Sequence, residues 1–81
     1  MRYTVHARVE MQRREIADDW VESTVRAPEF ERRDRRYPER RNAFRRVPQL
    51  ENRWLRVVYE IDGADILIVT AFLDRGAERR R

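Results

Sequence analysis

The stretch that decides the fold is Trp54-Leu-Arg-Val-Val-Tyr-Glu-Ile61, then Asp62-Gly63, then Ala64-Asp-Ile-Leu-Ile-Val-Thr-Ala-Phe-Leu73. Both runs are apolar and rich in β-branched residues, and Asp-Gly between two such runs is a type I′ hairpin signature. A two-residue loop there sets a register: Ile61 opposite Ala64, Tyr59 opposite Ile66, Val57 opposite Ile68 and Leu55 opposite Thr70. Leu55, Val57, Tyr59, Ile61, Ile66, Ile68 and Phe72 then share one face, with Thr70 their only small polar neighbour. Trp54, Arg56, Val58 and Glu60 fall on the other face beside Leu67, Val69 and Ala71. Both faces are apolar enough to put this hairpin at the centre of a sheet.

Upstream, residues 29–47 are strongly basic, but Phe30, Tyr37, Phe44 and Val47 interrupt the charge at strand-like intervals. That pattern predicts two amphipathic strands, near 29–36 and 42–47, joined by a loop at Pro38-Glu39-Arg40; a disordered basic segment would lack the recurring aromatics. Nearer the N-terminus, Thr4 is an N-cap candidate for a helix over Val5–Arg14, with Ala7 and Met11 on its inner edge. After a break at Glu15-Ile16-Ala17, Asp18 or Asp19 is expected to cap a second helix, Asp19 and Glu22 having capping-box spacing. Trp20, Val21, Thr24 and Val25 supply its buried side, and Pro28 stops it. The tail 76–81 has little to bury and is expected to fray. The fold expected is a single α+β domain over residues 1–75, with two N-terminal helices packed on a three- to four-stranded antiparallel sheet.

Composition narrows the chemistry. The chain has 81 residues and no cysteine, which leaves no disulfide, thiolate nucleophile or thiolate metal site. A lone histidine with scattered acids does not make a zinc or two-metal site, and the two glycines form no phosphate-cradling loop. No cofactor is implied. No apolar run approaches the ~18–20 residues of a membrane span and no signal-peptide core is present, so no membrane partner is expected and the cytoplasm is the expected location. All nineteen basic side chains are arginine. Arginine's planar fork matches phosphate and carboxylate, although a preference for arginine codons would equally explain the missing lysine. The apolar two-sided hairpin in so short a chain also makes a homodimer plausible.

Several short runs, in order, carry a resemblance: Thr4-Val5-His6-Ala7, then Met11, Arg14 and Ile16, then Ala27-Pro28, Ala43-Phe-Arg-Arg-Val47, Arg53-Trp-Leu-Arg-Val-Val-Tyr59 and Val69-Thr-Ala-Phe-Leu-Asp-Arg75. The chain resembles a family of small bacterial domains of unknown function grouped with the BrnT-like and RelE/ParE-like toxins, whose fold class includes barnase-like and colicin-type RNases. Two positions depart from that pattern: Glu10 stands where arginine is usual, and Glu15 where glycine is usual. The resemblance implies a metal-independent endoribonuclease of a toxin–antitoxin pair, acting on RNA and restrained by an acidic antitoxin protein.

On that reading His6 is the candidate general base for a ribose 2′-hydroxyl, and Arg14 and Arg56, with Arg45 and Arg46, are placed to stabilise charge on the scissile phosphate. Thr70 could hold the phosphate or position a water. Arg36, Arg40 and Arg41, with Arg45 and Arg46, are candidate nucleic-acid contacts. Structural readings stand beside these: His6 as a helix-start residue bonded to the sheet or to a carboxylate, Arg56 paired with Glu10 or Glu22, Thr70 bonded within its sheet, and Asp74 paired with Arg75. A non-catalytic module gripping nucleic acid or an acidic protein is the alternative function, ParE-like inhibition of a protein target being one form of it.

Overall fold

The computed structural model describes residues 1–81. The chain runs β1 (Arg2–Tyr3), α1 (Val5–Arg13), α2 (Asp18–Arg26), β2 (Phe30–Arg33), β3 (Arg40–Val47), β4 (Arg53–Asp62), β5 (Asp65–Leu73) and α3 (Ala77–Arg80), with a 3-10 turn at Pro48–Leu50. One sheet has the order β1-β5-β4-β3-β2. It is mixed and five-stranded, not purely antiparallel with three or four strands: β1 lies parallel to β5, pairing Arg2 with Leu67 and Tyr3 with Ile68. Two residues leave no period-2 signal, so β1 exists only by pairing with residues sixty-five positions away.

The hairpin forms as expected, but its register differs. Asp62 pairs with Asp65, Ile61 with Ile66 and Tyr59 with Ile68, so Gly63 and Ala64 are the central turn residues. Gly63 has φ +62° and Ala64 is not among the positive-φ residues. A type I′ turn needs φ > 0 at both positions, whereas glycine first is the II′ arrangement. A bulge at Val58/Tyr59 then shifts the ladder, because one step on β4 spans two on β5. Beyond it Val57 pairs with Ala71, Arg56 with Phe72 and Val58 with Thr70. Ala71 therefore joins Leu55 and Val57, while Thr70 and Phe72 move to the face of Arg56.

Both helices cover the first face. Ala7 and Met11 of α1, Ile16, and Val21 and Val25 of α2 pack on Ala43, Val47, Leu55, Val57, Tyr59, Ile68 and Ala71. Thr4 caps α1, its hydroxyl accepting from the Ala7 N–H at 3.0 Å and donating to the Val69 carbonyl at 3.1 Å. The N-cap of α2 is Ala17, without a side-chain bond, so neither Asp18 nor Asp19 caps it. Both lie in the first turn, where the helix dipole favours negative charge.

The second face carries a stacked Phe30–Phe44 pair, centroids 4.4 Å apart, with Trp54 edge-on to Phe30. The tail expected to fray is instead docked there as α3. Ala77 is fully buried, the Trp54 indole N–H donates to Glu78 at 3.0 Å, and Arg32 donates to the Arg81 carbonyl. No helix is long and apolar enough to cross a membrane.

Candidate functional site

On the face away from α1 and α2 lies a cleft of about 550 Å³ lined by Arg32, Arg33, Asp34, Arg35, Arg36, Asn42, Phe44, Arg56, Arg79 and Arg80. Its floor is β3 and β4. One wall is β2 with the turn that follows, and the other is α3.

Local chemistry sets each part. Asp34 accepts from the backbone N–H groups of Arg36 and Tyr37, both at 2.9 Å, and from Asn42 Nδ2 at 3.2 Å. This is an aspartate folding the chain over its own side chain, and it presents Arg35 and Arg36 at the rim. The bond from Tyr37 most of all holds the Asp34 carboxyl below the usual range. Arg56 lies on the floor, its guanidinium 5.3 Å from both the Phe44 and Phe72 rings. Its Nε donates to Asn42 at 2.8 Å and its Nη1 to Asp74 at 3.2 Å. Asp74, only 8% exposed, also accepts from Arg80 at 2.9 Å and from the Gly76 N–H at 2.8 Å. Burial alone would raise its pKa; the bonds from Arg80, Gly76 and Arg56 hold it below the normal value.

Thirteen of the nineteen arginines hydrogen-bond or ion-pair within the protein through their side chains. The other six are Arg33, Arg35, Arg36, Arg53, Arg75 and Arg79, and four of these line the cleft. Asp34 is the only carboxylate in its lining, so uncompensated positive charge is concentrated in one concave place.

Of the residues singled out from the sequence, Arg36 and Arg56 line this cleft. Arg40 pairs with Glu60 at 2.9 Å and Arg46 with Glu29 at 2.7 Å, Arg45 donates to the Ala27 carbonyl at 2.6 Å, and Arg41 reaches the Pro38 carbonyl at 3.5 Å. Arg14 ion-pairs with Glu10 and donates to the Ala71 carbonyl, with its guanidinium 5.9 Å from the Phe72 ring. Arg14 and Arg56 thus both touch Phe72. Thr70, half-buried on the face of Phe72, makes no side-chain hydrogen bond. His6 is exposed on α1, makes no side-chain hydrogen bond, and belongs to the helical layer on the opposite side of the sheet from the cleft. Arg56 is matched by Asp74 rather than by Glu10 or Glu22, which serve Arg13 and Arg14, and Tyr3 and Arg26. Asp74 in turn pairs with Arg56 and Arg80, not with Arg75.

The sequence leads one to expect Arg79 and Arg80 to fray with the tail and Asp74 to pair with Arg75, and Asp34 and Asn42 are not among its candidate residues. The available signal was local: Asp74 two residues before a glycine, and Asp34 two and three residues before the N–H groups it accepts from. No group of three or more His, Asp or Glu side chains is placed to hold a metal ion.

No curated protein and no solved structure matches the chain. A family described as Domain of unknown function (DUF4258) matches residues 3–73, from β1 to the end of β5. The chain belongs to that family.

Proposed function

We propose that the protein binds RNA through its phosphate groups at the arginine cleft. The observation that carries this reading is the convergence of Arg33, Arg35, Arg36 and Arg79, four guanidinium groups without a protein counter-charge, around Arg56. Guanidinium forks match phosphate oxygens, and each phosphate neutralised releases counterions. A cytoplasmic location belongs to this reading, and an acidic antitoxin filling the same cleft would be its inhibitor. Binding of a labelled single-stranded RNA across a salt series tests this. Four phosphate contacts predict that affinity falls roughly 50-fold between about 50 and 200 mM salt. Undetectable binding at the low-salt end refutes the reading.

The second reading adds metal-independent cleavage. It is favoured by Phe72 lying within reach of both Arg14 and Arg56, with Thr70 on the same face. In that reaction the 2′-hydroxyl attacks the adjacent phosphorus and gives its proton to water, Arg14 and Arg56 hold the phosphorane, and water protonates the departing 5′-oxygen; His6, across the sheet, takes no part. Total RNA incubated with the protein in EDTA would then acquire 2′,3′-cyclic phosphate ends, and Arg56→Ala would abolish them while His6→Ala would not. Binding without such ends leaves the non-catalytic module.

A further inference from the structure

We infer that the cleft is a clamp for a single nucleic-acid strand, whose second jaw, α3, is held in place by Asp74. The inference rests on the RNA reading above and concerns which form of RNA is taken and what positions the residues that take it.

The shape argues for one strand. Arginines stand on both sides of the floor: Arg32, Arg33, Arg35 and Arg36 along the β2 wall, Arg79 and Arg80 along α3. A strand lying between them meets guanidinium groups from two directions, as a groove that tracks one backbone requires. The volume, about 550 Å³, is that of a small-molecule pocket and admits a short piece of one backbone, not two paired ones. Phe44, the one apolar lining residue, has no exposed surface, so the floor offers bases nothing to stack on. Tyr37 does: it is 39% exposed beside the Arg36 end of the wall, with the Arg40 guanidinium 4.2 Å from its ring.

The second jaw is not self-supporting. α3 has four residues, too few to be helical alone. It is held by Ala77, which is buried, by the Trp54–Glu78 bond, by Arg32 donating to the Arg81 carbonyl, and by Asp74, whose carboxylate joins Arg56 on β4 to Arg80 on α3. Asp74 is thus a positioning residue: it touches no ligand, yet it ties the Arg79–Arg80 wall to the floor, while the Arg32–Arg81 bond ties the chain end to the β2 wall.

A charge argument makes this testable. Asp74→Asn makes the protein more positive, so electrostatics alone predicts tighter binding of any RNA. Loss of the jaw predicts weaker binding of single strands. The experiment compares an oligouridine of roughly 12 nucleotides with a duplex of the same length at fixed salt. For the wild type the single strand is expected to bind about tenfold or more tightly than the duplex. Asp74→Asn should lose most of that preference and leave duplex binding unchanged or tighter, and Asp74→Glu should restore part of it. Arg79→Ala, at a side chain with no partner, tests the jaw without disturbing the fold and should lower single-strand affinity more than duplex affinity. Equal binding of the two RNAs by the wild type, or tighter single-strand binding by Asp74→Asn, overturns the clamp. Failure of the wild type to bind either RNA overturns the RNA reading instead.

Discussion

Glu15 shows how much one residue type can matter. It has φ +56°, in the left-handed region, and stands just past the end of α1. The Ile16 N–H donates to the Met11 carbonyl at 2.8 Å and the Glu15 N–H to the Gln12 carbonyl at 3.2 Å, and Ile16 and Met11 share the core. That is a Schellman ending, in which glycine is the usual left-handed residue because a Cβ is strained there. The resemblance that leads one to expect glycine at this place has this physical basis. Glu15→Gly should therefore stabilise the domain by about 0.5–1 kcal/mol, the relieved strain exceeding glycine's entropy cost. A melting curve should shift upward by several degrees; an unchanged or lower midpoint would remove the strain argument. Ionisable residues set the pH limits. Glu10, Glu29, Asp34, Asp65 and Asp74 all have lowered pKa values in the fold. Their contribution is complete above the unfolded carboxylate range and is lost as pH falls through the lower folded values, so acid unfolding should set in below about pH 4. Burial, with the 2.5 Å bond its hydroxyl donates to Glu31, raises Tyr59 to about 12. That contribution is present below the ordinary tyrosine value and disappears as pH rises through about 12. Urea midpoints measured against pH would show both limbs.

The two main helices differ most at their starts. Thr4 caps α1 by accepting from the Ala7 N–H at 3.0 Å, whereas α2 begins at an alanine whose side chain bonds nothing. Ala17→Ser should add about 0.5–1 kcal/mol, and Thr4→Ala should cost about 1 kcal/mol or somewhat more, since its hydroxyl also donates to the Val69 carbonyl. Denaturant titrations in which both substitutions were silent would show that these ends do not limit stability. The short α3 depends on docking rather than on its own propensity. A charge placed at its buried Ala77 cannot be solvated while the helix stays down. Ala77→Asp should release α3, expose Trp54 and shift its emission to longer wavelength. An unshifted spectrum would mean that the segment stays seated by its polar contacts alone.

For the molecule as a whole, the net charge of +4 understates the field, because most arginines are paired locally and four of the six free ones gather in one cleft. Arg35 and Arg36 are both on the rim, and neither side chain hydrogen-bonds or ion-pairs within the protein. Replacing both with alanine should lower the slope of log affinity against log salt by about 1.4, two phosphate contacts' worth on a single strand. A parallel displacement with no change of slope would place the RNA elsewhere.

Much of this architecture was readable from residues near one another in the chain. The alternation of residues 54–73 around Asp62-Gly63 specified a central hairpin, the spacing of Ala7, Met11, Val21 and Val25 specified two helices with one apolar side each, and Phe30, Phe44 and Val47 marked strands within a basic run. Such signals are local because backbone geometry repeats every two or 3.6 residues. What folding alone decided has no repeat to betray it: β1 borrowing a partner sixty-five residues away, the bulge that carries Phe72 to the side of Arg56, and Asp74 reaching back eighteen residues to join β4 to α3. The cleft belongs to this second group, since its two walls come from opposite halves of the chain and meet only once the sheet between them has formed.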